Sequence, residues 1–138
     1  MEVLQGQLGD LKMGDALKRL MVTAYDLPSR TLKVFDSNQT NRLMYKTAAA
    51  SASAPTFFAP VHLAVQGGSE LVLTDGGVGL SNPALYAVTK LIGEGVPLDR
   101  IRVVSLGTGQ AAAEAYNPEI EKWGPVRWLL SDSFILNV

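Results

Sequence analysis

The 138-residue sequence contains no cysteine, which excludes disulfides, thiolate catalysis and cysteine-based metal sites. It contains one histidine, His62. Any Ser-His-Asp triad would have to use that residue, and a metal site could draw on only one imidazole. His62 lies in the proline-bounded apolar stretch Phe57 to Leu63, with no ligand-spaced partners. It reads as a partly buried histidine with one backbone partner, and no metal site is expected. There is no excess of basic charge: 12 Lys and Arg stand against 13 Asp and Glu, for a net charge of −1. The electrostatic footprint of nucleic-acid binding is therefore missing. No apolar run approaches the ~20 residues needed to cross a bilayer. No charged segment followed by an apolar one marks a secretory signal. These absences are compatible with a cytoplasmic protein that at most touches a membrane peripherally. With 47% hydrophobic and 18% charged residues, the composition is that of a folded domain.

Residues 1 to 19 carry leucines at irregular spacing and suggest one or two short helices, with Gly14-Asp15 offering an N-cap before Ala16. Leu20 to Leu27 reads as a strand. Thr31 to Asp36 alternates polar and apolar residues, and the turn Pro28-Ser29-Arg30 makes the two a hairpin. Leu43 to Ser53, rich in alanine and serine, predicts a helix that stops before Pro55. Ser51 and Ser53 read there as small packing residues. Thr56 to Val61 forms a rigid aromatic loop between prolines. Leu71 to Thr74 is a short strand, and Pro83 to Ile92 is a helix capped by Ser81 or Asn82 and ended by Gly93 and Gly95. Ile101 to Leu106 is a strong buried-strand pattern. Strand, helix and strand in this spacing predict a βαβ unit with parallel strands. Ala111 to Tyr116 and an amphipathic segment around Val126 to Ile135 complete the expected helices.

Three glycine-bearing turns are candidates for chemistry. Gly107-Thr108-Gly109-Gln110-Ala111-Ala112 matches a dinucleotide fingerprint after a strand, but the acidic residues that follow, Glu119 and Glu121, do not end a further strand. Gly67-Gly68-Ser69-Glu70-Leu71 lacks the final glycine of a G-x-S-x-G nucleophile elbow and precedes a strand, so it reads as a turn. The third is Asp75-Gly76-Gly77. A carboxylate at the carboxyl end of a strand stands where α/β sheets collect ligands. It can act as a general base toward a hydroxyl nucleophile, and the glycines allow close approach. Asp-Gly is also a common turn pair, so the residues alone leave both readings open.

The stretch Ala49-Ala50-Ser51-Ala52-Ser53-Ala54-Pro55-Thr56-Phe57-Phe58-Ala59-Pro60 resembles the small-residue, Ala-Pro-Thr-Phe-Phe-Pro segment of patatin-like phospholipases. Thr74-Asp75-Gly76-Gly77-Val78-Gly79, followed by Asn82-Pro83-Ala84, resembles that family's D-G-[AG] box and the Asn-Pro after it. Val103 to Gly109 is similar to the next strand and turn, and Val22 to Leu27 to the preceding hairpin. The resemblance runs in family order from about residue 20 to 130. It implies part of a three-layer α/β/α sandwich with a mostly parallel sheet. It also implies a lipid acyl hydrolase working through a Ser-Asp dyad without histidine, with Asp75 as base and Gly76, Gly77 and Asn82 in support. No cofactor is implied. The expected substrate is a lipid or phospholipid ester, with peripheral membrane contact, no nucleic acid and no transmembrane segment.

The family's glycine-rich oxyanion motif and its G-x-S-x-G elbow are both missing from this sequence, so no nucleophile is present. Residues 1–138 are therefore expected to be the C-terminal portion of one such domain, truncated at both ends. They would be inactive alone and would need the N-terminal segment to complete sheet and site. Two other readings stand beside this one. One is a non-catalytic lipid- or partner-binding module of the same fold, with Trp123, Trp128 and Leu129 as a surface. The other is nucleotide binding at Gly107 to Ala112.

Overall fold

The computed structural model describes residues 1–65, 67–107, 118, 122 and 124. The chain divides into two compact units, Met1–Ile101 and Arg102–Val138, and the first carries the elements below. Helix α1 (Glu2–Leu8) is followed by a single 3-10 turn at Met13–Asp15. Strands β1 (Met21–Asp26) and β2 (Thr31–Asp36) come next, then helix α2 (Met44–Ser51). Strands β3 (Val61–Ala64) and β4 (Glu70–Asp75) lead through a 3-10 turn at Gly76–Val78 into helix α3 (Pro83–Gly93). The strands expected at 20–27, 31–36 and 71–74 and the helices expected at 43–53 and 83–92 are observed, and β3 is a strand where the sequence reading placed no definite element. Asp15 is the exception in the N-terminal region: it starts no helix and instead accepts from the Lys12 amide at 2.8 Å.

The four strands form one sheet in the order β2-β1-β4-β3, and every pair is antiparallel. The mostly parallel sheet expected from the sequence is thus corrected for the described residues. The cause is local. Both β1–β2 and β3–β4 are joined by short turns, and a short turn can only return the chain antiparallel. Among the described residues the second strand of the expected βαβ unit is not observed. Residues 101–107 join no ladder, and Val103, Val104 and Leu106 are exposed. An apolar run becomes a strand only where a neighbouring backbone offers its hydrogen bonds. The expected helices at 111–116 and 126–135 lie outside the described residues.

The core lies between the sheet and α2. Ala49 and Ala50 of α2 join Ala24, Phe35, Val61, Leu63 and Leu73 of the strands, and Met13 closes one end. The small side chains of α2 let its backbone lie close to the strands, which is the packing reason for the alanine run. Helix α3 buries none of its residues, and Leu85 and Ile92 of its apolar stripe are exposed. Asn82 caps it as expected, its side chain accepting from the Leu85 amide at 3.2 Å, with Pro83 at the first helical position.

Arg19 ties the end of α3 to the sheet. Its Nε donates to both oxygens of the buried Asp36 at 3.1 Å, while Nη1 and Nη2 donate to Glu94 at 2.6 and 2.8 Å. The guanidinium holds the Asp36 carboxyl below the usual carboxylate range, against the opposing effect of burial and with help from the Asn38 amide. It pulls Glu94 down to about 2. Both carboxylates have depressed folded pKa values, so their stabilisation is complete above the unfolded value near 4 and is lost as pH falls toward 2. Arg19→Met should lower the melting temperature at neutral pH, because Asp36 is left buried without its cation. It should also flatten the loss of stability between about pH 4 and 2; thermal melts across that window check both effects.

Candidate functional site

The site is built around the junction of β4 with the glycine turn. Asp75, the last residue of β4, pairs with Ala24 of β1 and is half-buried. Its Oδ1 accepts from the Gly77 amide at 3.0 Å, the self-bonding that makes Asp-Gly a turn former. Among the described residues its Oδ2 has no hydrogen-bond partner. One carboxylate oxygen therefore orients the group while the other stays available.

Gly76 is required by close packing. A Cβ there would lie 2.3 Å from Thr23 Oγ1 and 2.5 Å from the Thr23 carbonyl oxygen, so only hydrogen fits against β1. At Gly77 a Cβ would lie 3.3 Å from Asp75 Oδ2, and its absence leaves the approach to that oxygen open.

The backbone of Asp75 is set by a residue the sequence reading assigned to plain packing. The Ser53 carbonyl accepts from the Asp75 amide at 3.0 Å and from Thr74 Oγ1 at 2.6 Å. Ser53 Oγ in turn donates to the Ala49 carbonyl at 2.6 Å. Ser53 and Thr74 are both buried, so the end of α2 is locked to the end of β4. The signal available in the sequence was a polar pair, Ser53 and Thr74, inside two apolar stretches. Thr74→Val keeps the shape but removes one of the two donors to the Ser53 carbonyl. It should cost about 0.5–1.5 kcal/mol and speed hydrogen exchange at the Asp75 amide. Unchanged exchange would remove the lock from this account.

A second buried carboxylate, Asp26, ends β1. It accepts from the Ser29 hydroxyl and, at 3.2 Å, from the Val72 amide of β4. Burial pushes its pKa up, but the bonds from Ser29 and Val72 and the nearby Lys33 outweigh this and hold it below the usual range. Asp26 thus joins the first hairpin turn to the strand that carries Asp75. His62 stands on edge strand β3, largely exposed, with Nδ1 3.0 Å from Glu70 Oε2. The partly buried histidine expected from the sequence is corrected: period-two alternation puts Val61 and Leu63 inward and His62 outward.

Beside the site, the loop after α2 runs through Ala54-Pro55-Thr56-Phe57-Phe58. Thr56 is held at φ 73°, a left-handed conformation that is costly for a β-branched residue. A mostly apolar cavity of about 380 Å³ opens against this loop, lined by Leu4, Ala49, Ser53, Phe58, Pro60 and Val61 among others. Of the other candidates, Thr108 to Ala112 of the glycine turn after Leu106, and Trp123, Trp128 and Leu129, lie outside the described residues. No helix among the described residues is long and apolar enough to cross a membrane.

The patatin-like phospholipase family profile matches residues 1–88, the stretch that holds Asp75, Ser53 and the phenylalanine loop. The chain is 29% identical to Patatin-like protein 3 of Arabidopsis thaliana, over 93% of this chain and 36% of that protein. It is 30% identical to Patatin-11 of Solanum tuberosum, over 95% of this chain and 40% of that protein. The chain thus spans about two fifths of the length of these curated relatives.

Proposed function

The chain belongs to the patatin-like phospholipase family, and from that premise we propose that it supplies the catalytic base of a lipid acyl hydrolase, Asp75. The observation that carries this reading is the division of labour within the Asp75 carboxylate. Oδ1 is anchored 3.0 Å from the Gly77 amide, and Oδ2 has no partner among the described residues. A serine hydroxyl brought within about 2.6–3.2 Å of Oδ2 would meet an oriented base.

The reaction is a two-step ester hydrolysis. The serine oxygen attacks the acyl carbonyl as Asp75 takes its proton, and the tetrahedral oxyanion is held by backbone amides. Asp75 then returns the proton to the departing alcohol. In the second step a water attacks the acyl-serine while Asp75 takes its proton and hands it to the serine. No histidine is needed, in accord with His62 being paired to Glu70 on a separate edge. Gly76 and Gly77 permit the approach, and Asn82 holds the start of α3.

On this proposal the nucleophile comes from a segment bearing G-x-S-x-G that residues 1–138 do not contain, and the chain does not hydrolyse esters without it. A segment bearing G-x-S-x-G completes the sheet and the site. The test is complementation. The chain alone should leave a p-nitrophenyl acyl ester intact, and addition of such a segment from a patatin-like relative should start hydrolysis. Turnover by the chain alone would overturn the half-site reading, and failure of every complex that forms would count against the shared dyad.

A further inference from the structure

The Ala54–Pro60 loop presents two adjacent large apolar side chains to solvent: Phe57 is 58% exposed and Phe58 65%. Three features set this pair apart from scattered surface residues. The loop carries a strained left-handed backbone at Thr56, φ 73°, immediately before the two rings. Its polar backbone demand is already low. The Phe57 and Phe58 amides both donate to the Ala54 carbonyl, at 3.2 and 3.0 Å, and Pro55 and Pro60 have no amide hydrogen. Finally, from Thr47 to Val61 the chain carries no charged side chain, and from Leu71 to Thr89 its one charge is Asp75.

An exposed pair of apolar rings whose own amides are both bonded, in a stretch with no charged side chain from Thr47 to Val61, suits hydrocarbon, where unpaired polar groups are heavily penalised. A polypeptide partner would ordinarily meet a polar rim with hydrogen bonds to offer. The loop also continues into the site. Phe58 lines the apolar cavity together with Ser53, whose carbonyl holds the Asp75 amide. We propose that Phe57 and Phe58 form a wedge that inserts into an uncharged lipid surface and seats the Asp75 turn at the interface. This rests on the lipid-ester reading above, but its measurement does not require hydrolysis.

The test uses the 138-residue chain and vesicles of pure phosphatidylcholine. The chain should float with the vesicles to the same extent at low and high salt, since burial of apolar area is not screened as charge attraction is. Phe57→Ser with Phe58→Ser should lower partitioning at least about tenfold with an unchanged circular dichroism spectrum, because both side chains are exposed. A Phe57→Trp reporter should shift its emission to the blue on vesicle addition, compared with the parent chain. Asp75→Asn should float as the parent does, which separates this proposal from failure of the catalytic reading. The proposal is overturned by absence of flotation, by equal flotation of the double variant, or by binding confined to anionic phosphatidylglycerol vesicles and lost in salt. It is overturned equally if the double variant abolishes self-association or binding to the complementing segment while vesicle binding is nil, since the occupant is then a polypeptide.

Discussion

Asp75→Asn should reduce ester hydrolysis by the complemented protein about 10²–10⁴-fold in kcat, the range expected for loss of a positioned general base, with KM nearly unchanged. The substitution is close to isosteric. The Asn oxygen can still accept from the Gly77 amide, as Oδ1 does at 3.0 Å, so the turn should survive. At the position of Oδ2, however, the variant presents an amide group that donates and cannot take a proton at neutral pH. The serine hydroxyl then loses both its acceptor and its base. Steady-state kinetics with a p-nitrophenyl ester, beside a melting curve for each variant, separates this chemical loss from unfolding. Activity that survives Asp75→Asn would remove Asp75 from the dyad.

Gly76→Ala should be the most damaging single methyl in the described chain. The added Cβ would stand 2.3 Å from Thr23 Oγ1, 2.5 Å from the Thr23 carbonyl oxygen and 2.9 Å from its carbonyl carbon. The side chain could rotate away, but the carbonyl cannot. Thr23 lies within β1, paired to Val34 of β2 on one side, next to the ladder that β1 makes with β4 on the other. Relief requires parting the turn from the sheet. The expected cost is about 3 kcal/mol or more, a large share of the roughly 5–15 kcal/mol that holds a domain together. It corresponds to a fall in melting temperature on the order of 10 °C. Gly6→Ala is the control, since a Cβ there meets nothing within 4 Å and alanine favours a helix. A Gly76→Ala melt equal to the parent's would mean that the turn and β1 are not in this contact.

These two outcomes divide according to what was legible in the residues. Asp75, its glycines and the Asn82-Pro83 helix start could be read directly, because turn and cap chemistry is local: each residue acts on backbone within a few positions. The same holds for the hairpin of β1 and β2 and for the alanine-rich α2. Arg19, Asp36 and Glu94 could not be read as a cluster, since the partners are joined only by folding. His62 was misjudged for want of its neighbour Glu70, which the β3–β4 hairpin brings across.

The sequence by itself therefore determined the elements around the glycine turn, the family to which they belong, and the absence of cysteine chemistry. The pairing of β1 with β4 and the surroundings of Asp75 were decided by tertiary structure. Ladder partners are chosen across the chain, so an apolar run such as Ile101 to Leu106 fixes neither a pairing partner nor burial by itself. The Ser53 carbonyl has no side-chain signature at all, yet its bonds to the Asp75 amide and the Thr74 hydroxyl place the carboxylate. Backbone groups are alike in every residue, and only the fold brings these into contact.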